Sequence, residues 1–571
     1  MKPTKLFFAF LLCALCSQQL WATGINIGPD RVIGEGASIT LTAIIQLPGL
    51  RDEVYPIKWY KRTFDQANYP TTTFAEGAEI NTITQTLTET TYFKAAVADA
   101  AGVFCEDEVA VVVAKVYKIG FSASHPIYID PTSPTAPPDP YVMGAFPANA
   151  HWIKTTGSIV PKPVCYTRNT VPQIQLMITA DGLTPELLST LLVKATCSTE
   201  APSTPYNATL PATPLIPMSS GTTNGYGFSL PIAASAALPN QIDILEPLKI
   251  DWEIWDNTGV VWTNATANTP TQHQVYVTLG NSTMPFTEQH QFRTTLDISC
   301  RQAKGIADAA LVPDAIYSAF ATRNMHRYPE TSPATTLKYW GDIDLTEENP
   351  YTVMSLLATR DGRCGAWSRF FADMLWVQGI NTIEHLSIRR TPGSVLPSGT
   401  DALITTAVTN FNALPDAPVA NFNASVNIIN IPADYVPQNV AQFMVKNWTV
   451  EANKFYKLIS ENPENYQSLL SPTNNGIGVN GALPPGLAAQ GNNDPYSLFS
   501  DHALIRINNK IYDPSYGTGP FNTFADWEVA SIQSFGAFIN YGSPSAFLLW
   551  IEKNNTDTAA DLQLFNSSYN P

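Results

Sequence analysis

Residues able to do covalent chemistry concentrate in two stretches of this chain. Arg360-Asp361-Gly362-Arg363-Cys364-Gly365-Ala366-Trp367 opens an apolar-periodic segment. Far downstream, Asp501-His502-Ala503-Leu504-Ile505-Arg506-Ile507 is followed by Asn508-Asn509 and then Lys510-Ile511-Tyr512-Asp513-Pro514. A thiol, an imidazole and a carboxylate are the three groups that an acyl-transfer site requires as nucleophile, base and orienting partner. Cys364, His502 and Asp513 are the candidates for these roles. Each alone has an ordinary structural explanation: a small buried residue, a strand histidine and a turn-starting aspartate. The argument therefore rests on the trio.

These side chains act together only if local structure brings them together. Trp367, Phe370, Phe371, Met374 and Leu375 recur at helical spacing, so a helix over 363–378 is expected, with Gly379 ending it. Cys364 then lies in the first turn, where the helix dipole and unpaired N–H groups favour thiolate, the nucleophilic form. Arg360 and Arg363 either assist this or face water. Asn508-Asn509 suits a two-residue turn, because asparagine tolerates positive φ. That turn pairs Ile507 with Lys510 and Leu504 with Asp513, and places His502 and Asp513 as diagonal neighbours on one face. Their backbones are then about 7–8 Å apart, close enough for a side-chain hydrogen bond. A one-residue slip would put them on opposite faces.

Other chemistry finds little support. His385 is a competing base, but it sits in an apolar strand-like run over 382–389, where packing explains it. No HExxH motif or phosphate-binding glycine loop occurs, and no metal or cofactor is expected. An oxyanion donor is needed; the backbone N–H of Cys364 and the side chains of Trp340, Gln442 and Trp448 are candidates.

The rest of the chain sets the context. Residues 1–22 read as an export leader: Lys2 and Lys5, an apolar run from Leu6 to Cys16, then Leu20-Trp21-Ala22. A secreted or extracytoplasmic protein is expected, with no membrane span. The 571 residues include 48 acidic and 32 basic side chains, a net of −16, and loss of the leader makes the chain more acidic still. That balance argues against nucleic acid as a partner. Five cysteines remain beyond the leader, and Cys165 with Cys197 is the expected disulfide, since both lie in one β-type segment.

Residues 23–115 show short alternating strands, with Trp59 where an immunoglobulin-like sandwich places a tryptophan, so a β-sandwich is expected there. Residues 116–285 form a second β-rich domain, ending in tryptophan-bearing strands at 250–256 and 260–262 and a strand at 272–279. For these tryptophans, packing is a better explanation than a sugar-binding face. From 286 to 571 helices join the strands, as in an α+β domain. In it a helical region at 303–323 is split by Pro313, a helix is expected near 452–460, and residues 392–500 read as a long insertion.

Gly362-Arg363-Cys364-Gly365-Ala366-Trp367-Ser368-Arg369-Phe370-Phe371 with Val377-Gln378-Gly379-Ile380 closely resembles the cysteine helix of the transglutaminase-like superfamily. His502 opening a strand, then Tyr512-Asp513-Pro514, resembles that family's other two motifs, in the same order. The resemblance covers about residues 335–520. It implies a papain-like fold with Cys364 as nucleophile, His502 as base and Asp513 as orienting carboxylate. It also implies a thioester acyl-enzyme acting on amide bonds of protein or peptide substrates, as a hydrolase or an acyltransferase. The long stretch between Cys364 and His502 departs from compact members of the family. The rival expectation is a non-catalytic surface or adhesion protein, held to a cell surface or extracellular polymer by its β domains, whose third domain only binds.

Overall fold

The computed structural model describes residues 24–390, 488–493 and 498–541 apart from short loop segments. It also describes the strands Gln442–Val445, Ser545–Glu552 and Leu562–Asn566. The expected leader, the helix expected at 452–460 and most of 392–500 lie outside the described residues. Strand accounts for 45% of the structure and helix for 15%, and the chain forms two compact units, so the protein is multidomain and β-rich. No described helix is long and apolar enough to cross a membrane.

The first unit comprises residues up to 126 together with 141–277. Strand β1 (Ile57–Thr63) alternates as the sequence requires, burying Ile57 and Trp59. It pairs with β2 (Thr91–Asp99), which pairs with β3 (Gly102–Ser122). The boundary expected at residue 115 falls inside β3. This strand pairs with β2 along its first part and, from Lys115 to Ser122, with a later strand. Val111, Val112, Val113 and Ala114 are all buried, so both faces of β3 are covered next to the expected boundary, and the strand continues.

A second sheet contains β4 (Val164–Thr167), β6 (Leu191–Thr199), β7 (Asp243–Asp256) and β8 (Thr271–Thr278), while β5 (Gln173–Asp181) is the strand that joins β3. The order β4-β8-β7-β6 corrects the expected disulfide. Cys165 on β4 and Cys197 on β6 have two strands between them, and no bridge forms. At about 4.8 Å per strand the gap is roughly 14 Å, twice what a disulfide spans. Trp252 is buried and Trp255 lies under the Lys194 ammonium at 3.9 Å, so these two pack against their own sheet; Trp262 lies outside the described residues.

Two histidines are buried in this unit without a counter-charge. The Phe121 N–H donates to His151 Nδ1 at 3.1 Å, and His273 packs on Phe121 with ring centroids 5.1 Å apart. Burial lowers His151 to about 4 and His273 to about 3, each with a smaller push from a neighbouring basic group, Lys162 or His151.

The second unit comprises Ile127–Pro140 and residues from 278 onward. Helix α1 (Arg293–Gln302) and α2 (Val312–Ala321) are the two helical pieces; the first lies upstream of the expected start at 303. Pro313 begins α2 rather than interrupting a longer helix, since its missing N–H is harmless in a first turn. The start of α1 is held from far away: Asp130 accepts from the Thr294 N–H at 3.1 Å and from its hydroxyl at 2.5 Å. Arg327 Nη2 donates to the Asp130 carbonyl at 2.7 Å.

Strand β9 (Lys338–Tyr339), helix α3 (Val353–Thr359), strand β10 (Asp361–Gly362) and helix α4 (Cys364–Trp376) follow. The α4 helix ends as expected. Ile380 N–H reaches Leu375 O and Gly379 N–H reaches Trp376 O, with Gly379 at φ 77°. A sheet ordered β14-β13-β12-β11-β15 packs with the cysteine helix. It is built from β11 (Glu384–Arg390), β12 (Asp501–Ile507), β13 (Lys510–Asp513), β14 (Thr518–Phe521) and β15 (Leu562–Asn566).

The buried histidines predict acid sensitivity. A folded-state pKa below the unfolded value near 6.5 means stability is complete above that value and falls as pH drops toward 4. By pH 4.5 the expected loss is on the order of 2 kcal/mol for each histidine. Urea unfolding followed by tryptophan fluorescence at pH 7 and pH 4.5 measures it, and His273→Leu should flatten the difference.

Candidate active site

The His502–Asp513 relation follows from a short local turn. Asn508 and Asn509 adopt φ of 50° and 62°, and β12 pairs with β13 as Ile505 with Tyr512, Arg506 with Ile511 and Ile507 with Lys510. This is the register expected from the two-residue turn. His502 Nε2 and Asp513 Oδ2 lie 2.9 Å apart, and both residues are almost completely buried.

Asp513 is held from three further directions. Trp527, on helix α5 (Phe524–Ser531), donates its indole N–H to Asp513 Oδ2 at 3.1 Å. Its ring lies nearly parallel to His502, 13° between planes. Tyr317 on α2 accepts from the Asp513 N–H at 3.1 Å, and its hydroxyl lies 2.8 Å from the Asp513 carbonyl oxygen. Asp314, one turn earlier on α2, accepts from the Tyr512 hydroxyl at 2.7 Å and pairs with Lys510 at 2.5 Å. The same helix therefore fixes both the end and the start of β13.

Cys364 occupies the first turn of α4, only 7% exposed. Ser368 ties this helix to β12 by donating to the Ala503 carbonyl at 2.8 Å. The thiol lies within electrostatic reach of His502. Nε2 is committed to Asp513, so Nδ1 is the ring nitrogen left to serve the thiol. Burial alone would lower the His502 pKa, but Asp513 and Cys364 outweigh it and raise the imidazole to about 10. The imidazolium is the form these neighbours favour, which is the partner a thiolate needs. All three expected residues thus come together on α4, β12 and β13.

The remaining candidates separate. Arg363 does not face water: it is buried with its guanidinium 4.0 Å from the Trp340 ring centre. Arg360 is the left-handed cap of α3 at φ 67°. His385 packs 5.8 Å from the ring of Trp376 at the far end of α4, and burial lowers it to about 4. Twelve helical residues, roughly 18 Å, separate that position from Cys364. Gln442 lies on the strand Gln442–Val445, and Trp448 lies outside the described residues.

Sequence reasoning missed Trp527, Tyr339, Tyr516 and Gln490. Gln490 falls within the stretch read as an insertion, yet it is fully buried and joins separate parts of the site. Its side-chain amide donates to the Phe320 and Pro514 carbonyls at 2.8 and 2.9 Å. Its backbone accepts from Tyr339 N–H and donates to Ser515 O. Only the departure of residues 488–493 from periodic patterning marked them, and that pattern is shared by any loop.

Trp527→Phe keeps most of the ring packing and removes one donor from a buried carboxylate. The expected cost is about 1–3 kcal/mol of stability, read from the urea midpoint.

No family model matches this sequence, and no curated protein matches it.

Proposed function

We propose that this protein is a transglutaminase-like cysteine enzyme with a papain-like third domain. It acts on amide bonds of protein or peptide substrates outside the cytoplasm. The observation that carries the reading is the convergence of Cys364, His502 and Asp513, with the thiol at a helix N-terminus within electrostatic reach of the imidazole and Nε2 fixed at 2.9 Å from the carboxylate.

In this mechanism His502 takes the Cys364 proton, and the thiolate attacks the carbonyl carbon of an amide. The tetrahedral intermediate collapses as the C–N bond breaks, and the imidazolium returns the proton to the leaving ammonia or amine. Water, or a second amine deprotonated by His502, then attacks the thioester and frees the thiol. Asp513 keeps the ring oriented and stabilises its cationic form. The acceptor sets the outcome; hydrolysis is the simpler one, because amine transfer requires water to be kept out.

The low exposure of Cys364 favours a second reading, a partner-binding domain that keeps the fold without turnover. The two differ in thiol behaviour. Cys364 should alkylate well below about pH 8.5, the range of an unperturbed thiol. His502→Ala should abolish that low-pH reactivity, and Cys364→Ala should abolish labelling at this site. A glutamine- and amide-bearing peptide set, assayed for ammonia release with and without a primary amine, then separates hydrolysis from transfer. A thiol inert in folded protein over the whole range sinks the enzyme reading.

A further inference from the structure

We propose that the Tyr339 hydroxyl is a hydrogen-bond donor dedicated to the Cys364 thiolate, with Tyr516 as the residue that positions it. This deepens the cysteine-enzyme reading and rests on it.

Strand register brings Tyr339 to the site. On β9 it pairs with Gly362 of β10, two residues before Cys364. Its backbone is fixed on the other side by Gln490, whose carbonyl accepts from the Tyr339 N–H at 2.7 Å. Tyr516, three residues after Asp513, packs edge-on against Tyr339 with ring centroids 5.2 Å apart, and lies 5.7 Å from the His502 ring. Both tyrosines are completely buried.

The Tyr339 hydroxyl faces the Tyr516 hydroxyl and lies within electrostatic reach of Cys364 and Asp513. It makes no well-formed hydrogen bond to the protein. A buried hydroxyl left in this state costs about 1–3 kcal/mol, so such groups persist where they meet a partner that appears in another state. The partner here is the anion at Sγ. A phenol in these surroundings stays protonated, because burial and the nearby acidic groups push both tyrosines well above their usual range. It can therefore donate to a thiolate without surrendering its proton. Gln490 and β9 hold the ring in place, so the donor needs no rearrangement when the charge forms.

The test is the pH profile of Cys364 alkylation in the full chain, with near-ultraviolet circular dichroism confirming the fold at each pH. Tyr339→Phe keeps the ring and should move the acid limb upward by about one pH unit, the effect of losing one donor to a charged group. Tyr516→Phe removes a hydroxyl from the same interior but leaves the donor, and should move the limb much less. A Tyr339→Phe limb that coincides with wild type overturns the proposal, as does an equal shift in both variants. If Tyr339→Phe fails to fold, 3-fluorotyrosine at position 339 supplies a stronger donor in the same shape. It should lower the limb, and an unmoved limb overturns the proposal. A wild-type thiol with no acid limb below the ordinary range overturns the enzyme reading and this inference together, whereas a reactive wild type with an unchanged Tyr339→Phe overturns this inference alone.

Discussion

A carboxylate withdrawn from water must be compensated where it lies, and in this protein Asp513 imposes that condition on everything around it. Stripping water from such a group costs several kcal/mol unless donors replace it. The donors come from separate places: His502 from the neighbouring strand and Trp527 from the helix that follows, while Tyr317 on α2 fixes the backbone. Each must arrive in register. The two-asparagine turn, the anchoring of α2 through Asp314 and the docking of α5 all converge on this one buried side chain.

Histidine is used in two opposite ways in the chain, and a nearby carboxylate makes the difference. His151 and His273 lie in an apolar interior, and burial keeps them neutral. His502 is buried at least as deeply, yet Asp513 and Cys364 hold it charged. The stability that His502 contributes is complete below the unfolded value near 6.5 and is lost as pH rises toward 10.

What could be read from the sequence was local. The Asn508-Asn509 turn fixed a register because strand side chains alternate with a period of two, and Gly379 marked a helix end because few other residues accept its conformation. What could not be read depends on distant partners. Helix α1 begins at Arg293 on the strength of Asp130, 164 residues away from the threonine it holds, so no capping residue next to the helix announced it. Trp527 and Tyr339 lie on short elements whose only distinction is the groups they face. The expected Cys165–Cys197 bridge failed because spacing along a chain says nothing about how many strands intervene in a sheet. Strand β3 passed the expected boundary because an apolar run buried on both faces carries no mark of where one domain stops.

The Asp130 clamp also bears on how the chain is made. Residues 127–140 belong to the second unit but are synthesised within the first. Asp130 leaves the ribosome 164 residues ahead of Thr294, which at about 5–20 residues per second is a wait of roughly ten to thirty seconds. Pro131, Pro134, Pro137, Pro138 and Pro140 lack the N–H that strand pairing uses. A segment of this composition offers few donors to any strand edge it meets before its own helix exists.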